Sequence, residues 1–116
     1  MLSGTWHLVE WTASRGSDTR HPSGPDAVGR IIYSDDGFMS AFLAASDGHS
    51  GALAYSGTWE MLGGEEVVHH VSLSTVEAFA GTDLVRGVSW EGDELVLTTP
   101  PRDGWVNVLR WRRAGD

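Results

Sequence analysis

Apolar and polar residues alternate with a period of two in short blocks, and turn-forming residues separate the blocks. Eight blocks carry the pattern: residues 5–13, 29–34, 37–44, 53–61, 65–74, 82–90, 94–99 and 105–113. This period puts successive side chains on opposite faces of an extended strand, whereas a helix would repeat about every 3.6 residues. Asp35-Asp36-Gly37, Gly63-Gly64, Glu91-Gly92-Asp93 and the stretch from Pro100 to Gly104 supply the Gly, Asp and Pro that tight hairpins require. The pattern therefore predicts an all-β chain of consecutive antiparallel strands. Such strands end as a sandwich or close into an up-and-down β-barrel, and closure removes the edges that invite aggregation. An eight-stranded antiparallel barrel is just wide enough inside for side chains or one small ligand.

Three connections break the pattern. Residues 14–28 are rich in Ser, Gly, Asp and Pro, lack periodicity and read as one long loop, a length more often functional than incidental. It either folds over the barrel mouth and adds His21 to a pocket, or is a surface loop stiffened by Pro22 and Pro25. Residues 46–52 and 75–80 each have room for one short helical turn. Nothing marks a second domain, so residues 1–116 are read as one.

Composition narrows the chemistry. The chain has 116 residues, with 16 acidic side chains against 8 basic ones for a formal charge of −8. All the basic residues are arginine, so neither Schiff-base chemistry nor a P-loop is available. Excess negative charge argues against nucleic acid and anionic membranes, which draw affinity from clustered cations. The one basic cluster, Arg110 to Arg113, reads as the solvated end of the last strand. With no cysteine there is no disulfide framework, thiolate zinc site or cysteine nucleophile, which fits a reducing compartment. No apolar run approaches the ~20 residues of a membrane span, and Met1-Leu2-Ser3 leads into strand-like sequence without a signal-peptide core. The expectation is a soluble cytoplasmic domain without a cofactor.

Gly4-Thr5-Trp6, opening the first block, is similar to the Gly-x-Trp signature at the start of lipocalin barrels. Further along, the chain resembles the small bacterial and fungal lipocalin-like domain family, a calycin-type β-barrel. The likeness is carried by His21-Pro22-x-Gly24, Ile32-Tyr33, Asp36-Gly37-x-Met39-Ser40-Ala41, Ala54-Tyr55-x-Gly57, His69-His70-Val71, Gly81-Thr82-Asp83 with Arg86, Leu95-x-Leu97 and Trp111-Arg112-Arg113. The resemblance implies an eight-stranded barrel with one pocket, in a family found alone or beside biosynthetic enzymes. Related small barrels include carriers and cofactor-free cyclases or isomerases. Residues 46–52 are shorter than the corresponding connection in many relatives, where a helix can cover the mouth.

In a closed barrel alternate residues face inward. The Gly-x-Trp likeness places Trp6 and Leu8 inside, and Glu10 follows them; Val9 and Trp11 would then share an outer apolar stripe with Val106 and Val108, a dimer surface or the bed of the long loop. Tyr33 shares the face of Ile31. Tyr55, Gly57, Trp59 and Met61 form the apolar face of their block, and in residues 37–44 the inward set is open. Val67, His69, Val71 and Leu73 form another face, so His69 points in and His70 out. Neighbouring strand histidines cannot chelate one ion from the same face; His69 with His7, His21 or Glu10 is conceivable, but the usual spacing is absent and no metal is expected. Arg86 falls among Leu84, Val88 and Trp90, and Asn107 shares the face of Leu109 and Trp111.

A guanidinium among apolar side chains must be paired. Either it pairs with Glu10 or snorkels to the rim, or it meets an anionic group on a ligand. In the last case Arg86 anchors a small, mainly apolar molecule in contact with Tyr33, Tyr55, Trp59, Trp90, Asn107 and Trp111, a binding protein in secondary metabolism, monomeric or homodimeric. The alternative is a cofactor-free isomerase or cyclase for a polyketide- or terpenoid-like substrate, with His69 and Glu10 as general acid and base. A solid barrel would leave only a structural or interaction role.

Overall fold

The computed structural model, which describes residues 1–115, turns the alternation into nine strands. They are β1 (Gly4–Arg15), β2 (Asp18–Arg20), β3 (Val28–Tyr33), β4 (Phe38–Ala44), β5 (Leu53–Leu62), β6 (Glu66–Ser74), β7 (Asp83–Glu91), β8 (Glu94–Thr98) and β9 (Val106–Arg113). Sequential antiparallel pairing runs β1-β3-β4-β5-β6-β7-β8-β9, and β9 pairs back onto β1. The fold is thus a closed eight-stranded antiparallel up-and-down barrel, nearly all sheet. Each predicted block became one of these eight strands.

Strand β2 is the addition. It lies within residues 14–28, read as loop, and pairs with the overhanging end of β1 through Ala13↔Arg20, Ser14↔Thr19 and Arg15↔Asp18. Three residues without alternation give no strand signal; the partner strand's free edge supplies the pairing. Of the two short segments expected to have room for a helical turn, residues 75–80 hold one, the 3-10 turn Glu77–Phe79, and residues 46–52 form hydrogen-bonded turns without a helix.

Two bulges set which side chains enter the barrel. In the β1–β9 ladder Leu8 opposes Trp111 and Glu10 opposes Arg110, so Val9 is an extra residue. An extra residue reverses the alternation beyond it. Trp6 and Leu8 therefore point in, as expected, but so do Trp11 and Ala13, while Glu10 points out. In the β5–β6 ladder Ser56 opposes Leu73 and Gly57 opposes Val71, which makes Ser72 the extra residue and turns Leu73 outward to 69% exposure. The backbones approach closely there: a Cβ on Gly57 would lie 1.9 Å from the His70 carbonyl oxygen.

Residues 37–44 resolve in favour of Met39, Ala41 and Leu43, all buried, with Phe38 and Phe42 exposed. Trp6, Ile31, Tyr33, Val67, Leu95 and Trp111 fill one half of the barrel, and a fully buried side chain of this kind contributes roughly 1.5–3 kcal/mol. That end is sealed by the N-terminus: Leu2 is buried, and Trp6 Nε1 donates to the Leu2 carbonyl at 2.9 Å. The Arg113 guanidinium lies 4.1 Å over the Trp6 ring and donates to the carbonyls of Ser3 and Met1. Arg110 pairs with Glu10 and Glu94, and Arg112 reaches Glu94. The basic cluster is thus tied into the barrel seam. Exposed apolar side chains gather on β3, β4 and β6 (Ile32, Phe38, Phe42, Leu73), away from the expected stripe, whose largest member, Trp11, faces in. No helix among the described residues is long and apolar enough to cross a membrane.

Candidate functional site

The other half of the barrel, where β1, β4 and β8 finish and β5, β7 and β9 begin, holds a partly open cavity of about 140 Å³. Its apolar walls are Trp11, Leu43, Leu53, Phe79 and Leu109, and its polar groups come from Tyr55, Arg86, Thr99 and Asn107. Larger hollows of about 460 Å³ lie on the outer face, between side chains such as Val28 and Phe42 or Phe38 and Leu73. They are open grooves outside the barrel and do not gather the inward polar groups.

Arg86 is inside, as its alternation requires: it opposes Val67 while its neighbour Leu84 opposes His69. It is half-buried and donates from Nη1 to the Val85 carbonyl at 3.1 Å. The ion pairs among the described residues join Glu10, Asp47, Glu60, Asp83, Glu91 and Glu94 to His21, His49, His70, Arg110 and Arg112. None involves Arg86. Glu10, its expected partner, sits on the outer surface with Arg110 at 3.3 Å and His21 at 3.6 Å, because the Val9 bulge turns it out of the barrel. His21 is thereby accounted for outside the cavity.

Behind the cavity wall lies a buried chain of three side chains. His69, 1% exposed, is hydrogen-bonded through Nε2 to Tyr33 Oη at 2.7 Å and through Nδ1 to Tyr55 Oη at 2.9 Å. Burial, with the nearby Arg86 charge adding to it, lowers the His69 pKa to about 3, so the ring is neutral at physiological pH. Burial likewise raises the pKa of both tyrosines, which keep their protons. Outside the barrel His70 has the opposite environment: hydrogen bonds to Asp83 at 2.7 Å and Glu60 at 2.9 Å raise its pKa. Among the described residues no three His, Cys, Asp or Glu side chains are placed to share a metal ion.

Of the nine residues singled out from sequence, the cavity gathers Arg86, Tyr55 and Asn107, with Tyr33 and His69 directly behind Tyr55. Three tryptophans belong to the sealed half instead. Trp59 packs on Tyr33 at 5.0 Å and donates to the Ser34 carbonyl, Trp90 is 45% exposed against Trp6 at 5.8 Å, and Trp111 is buried in the core. Glu10 lies outside. The missed residues are Trp11, Leu43, Leu53, Phe79, Thr99 and Leu109. Trp11 was findable, since residues 5–13 hold two apolar phases, Trp6 with Leu8 and then Val9 with Trp11 and Ala13, and such a phase change is what a bulge writes into a strand. Phe79 had no comparable signal.

A model of the lipocalin-like domain family matches residues 3–52, from the start of β1 to the connection after β4, and bears out the resemblance carried by the motifs from Gly4 to Ala41. Among solved structures the wild-type fluorescent protein UnaG is similar, at 14% identity over 97% of each chain with a TM-score of 0.50. That likeness is one of fold. No curated protein matches the chain.

Proposed function

We propose that this lipocalin-like barrel holds one small, mainly apolar molecule bearing a polar or anionic group, and that Arg86 anchors that group. The observation that carries the reading is a half-buried guanidinium facing an apolar cavity with no carboxylate beside it. A guanidinium held against apolar walls is stabilised by an anionic partner. Apolar walls with a few convergent polar groups are the usual composition of a ligand pocket.

Holding is favoured over turnover. An isomerase or cyclase needs a proton-transfer group at the substrate, and Glu10 lies outside the barrel while both His69 nitrogens are engaged by tyrosines. A pKa near 3 also makes His69 a weak base at neutral pH. The cytoplasm is the proposed setting because the chain has no cysteine, and secondary metabolism because of the resemblance to domains beside biosynthetic enzymes.

Native mass spectrometry of the protein as purified, followed by extraction, is the direct test. Wild type should carry a small molecule that Arg86→Met loses. Because the substitution removes an unpaired charge, it should leave the thermal midpoint unchanged or raised when both proteins are compared free of ligand. A wild type that releases nothing, and whose Tyr55 and Arg86 NMR signals stay unmoved across a panel of small acids, phenols and alcohols, overturns the proposal.

A further inference from the structure

We infer that the cavity is built to receive a compact carboxylate, of one ring or a short branched chain, because each of its polar side chains turns a donor toward the ligand. This deepens the proposed function and rests on it.

The donors follow from tracing each proton. Tyr33 Oη is buried and His69 Nε2 is its one partner. Were Nε2 to carry the ring proton, the Tyr33 hydroxyl proton would be shut in without an acceptor, at a cost of roughly 1–3 kcal/mol. Tyr33 therefore donates to Nε2, the neutral ring holds its proton on Nδ1, and Nδ1–H donates to Tyr55 at 2.9 Å. The Tyr55 hydroxyl proton is left over, and Tyr55 lines the cavity together with Arg86.

Across the cavity the same reasoning fixes two more groups. Trp11 Nε1 can only donate, and it donates to Asn107 Oδ1 at 2.9 Å, so the amide's NH2 is the free end. Thr99 Oγ1 accepts from the Asn107 N–H at 3.0 Å and keeps its own proton to give. Arg86 has only donors. Four polar side chains thus present N–H or O–H groups, and no carboxylate lines the cavity. An amine finds only the remaining lone pairs of the Tyr55 and Thr99 hydroxyls and meets a guanidinium, an alcohol uses half of what is offered, and a carboxylate uses both oxygens. The volume sets the scale: a cavity of ~150 Å³ holds benzene, and this one, about 140 Å³ and open on one side, takes one ring or a short branched chain with its carboxylate toward the half-buried Arg86.

Matched probes separate the possibilities. Benzoate, benzyl alcohol and benzylamine, titrated into wild type by NMR, should bind in that order, with benzoate at least about tenfold ahead. Tyr55→Phe should cost benzoate about tenfold and leave benzyl alcohol nearly unaffected. Tyr33→Phe should weaken benzoate although Tyr33 does not line the cavity: with Nε2 released, the ring proton can move there and Tyr55 then donates to Nδ1. Nitrogen-15 shifts of His69 should report the Nδ1–H tautomer in wild type and its loss in Tyr33→Phe. An Nε2–H tautomer in wild type, or equal affinity for the three probes, overturns the inference and leaves the ligand-holding reading standing. Failure of all three probes to bind, with no molecule extracted from the purified protein, overturns both.

Discussion

His69 and His70 are adjacent in sequence and opposite in electrostatics, and their contributions to stability run in opposite directions with pH. The His69 pKa lies near 3 in the fold, against an ordinary value of 6.5. Above pH ~6.5 the ring is neutral in both folded and unfolded chains and contributes no pH dependence. As pH falls below that value the unfolded chain takes up a proton that the folded barrel refuses, so stability is lost continuously down to about pH 3, where the loss approaches the order of 5 kcal/mol. His70 has a raised pKa, so its pairing with Asp83 and Glu60 is fully present below pH ~6.5 and is lost as pH climbs through the raised value. His69→Gln keeps a donor and an acceptor for the two tyrosines but cannot titrate. Its urea midpoint should fall less steeply than wild type's between pH 6.5 and 4 and run parallel to it above 7; parallel curves over the whole range would remove His69 as a source of acid instability.

At the scale of strands, the alternation of eight blocks was enough to read an antiparallel barrel, because period two is imposed by the pleat itself and closure by the need to protect edges. Register was less legible. Each bulge inserts a single residue, Val9 or Ser72, and everything beyond it changes face; Glu10, Trp11 and Leu73 were all misassigned for this one reason. The placement of Arg86, Tyr33, Tyr55 and His69 survived because no bulge lies between each of them and its nearest apolar neighbours, Val67 and Val71 in the case of His69. The cavity's location was not legible, since it depends on which end the large side chains fill. The β5–β6 bulge also offers a sharp test of register. Gly57→Ala would put a methyl 1.9 Å from the His70 carbonyl carbon's oxygen, where rigid backbone cannot yield without shifting the ladder. Overpacking of this kind costs typically about 1–3 kcal/mol and sometimes more. Chemical denaturation should place Gly57→Ala at or above the top of that range, and a loss below about 1 kcal/mol would mean that the strands are not so closely apposed.

Across the whole molecule the barrel has a packed half and a hollow half, and the proposed binding belongs to the second. One half is packed by Trp6, Tyr33, Leu95 and Trp111 and closed by the N-terminus through Trp6 and Arg113. The other keeps a cavity whose outer wall includes Phe79 from the 3-10 turn, set edge-on to Tyr55 at 6.0 Å. The halves meet at Tyr33, which packs on Trp59 on one side and on the other hydrogen-bonds the ring that holds Tyr55. Trp6→Phe removes the hydrogen bond to Leu2 and part of a buried ring, which should cost about 2 kcal/mol and leave benzoate dissociation within about twofold of wild type. Phe79→Ala removes a partly exposed wall from a short turn; it should cost less than Trp6→Phe in stability and speed benzoate dissociation about tenfold. Denaturation and NMR line-shape analysis of the two variants give all four values. Should Trp6→Phe change dissociation as much as Phe79→Ala does, the halves are coupled through Tyr33, and the N-terminal seal then belongs to the binding site as much as to the fold.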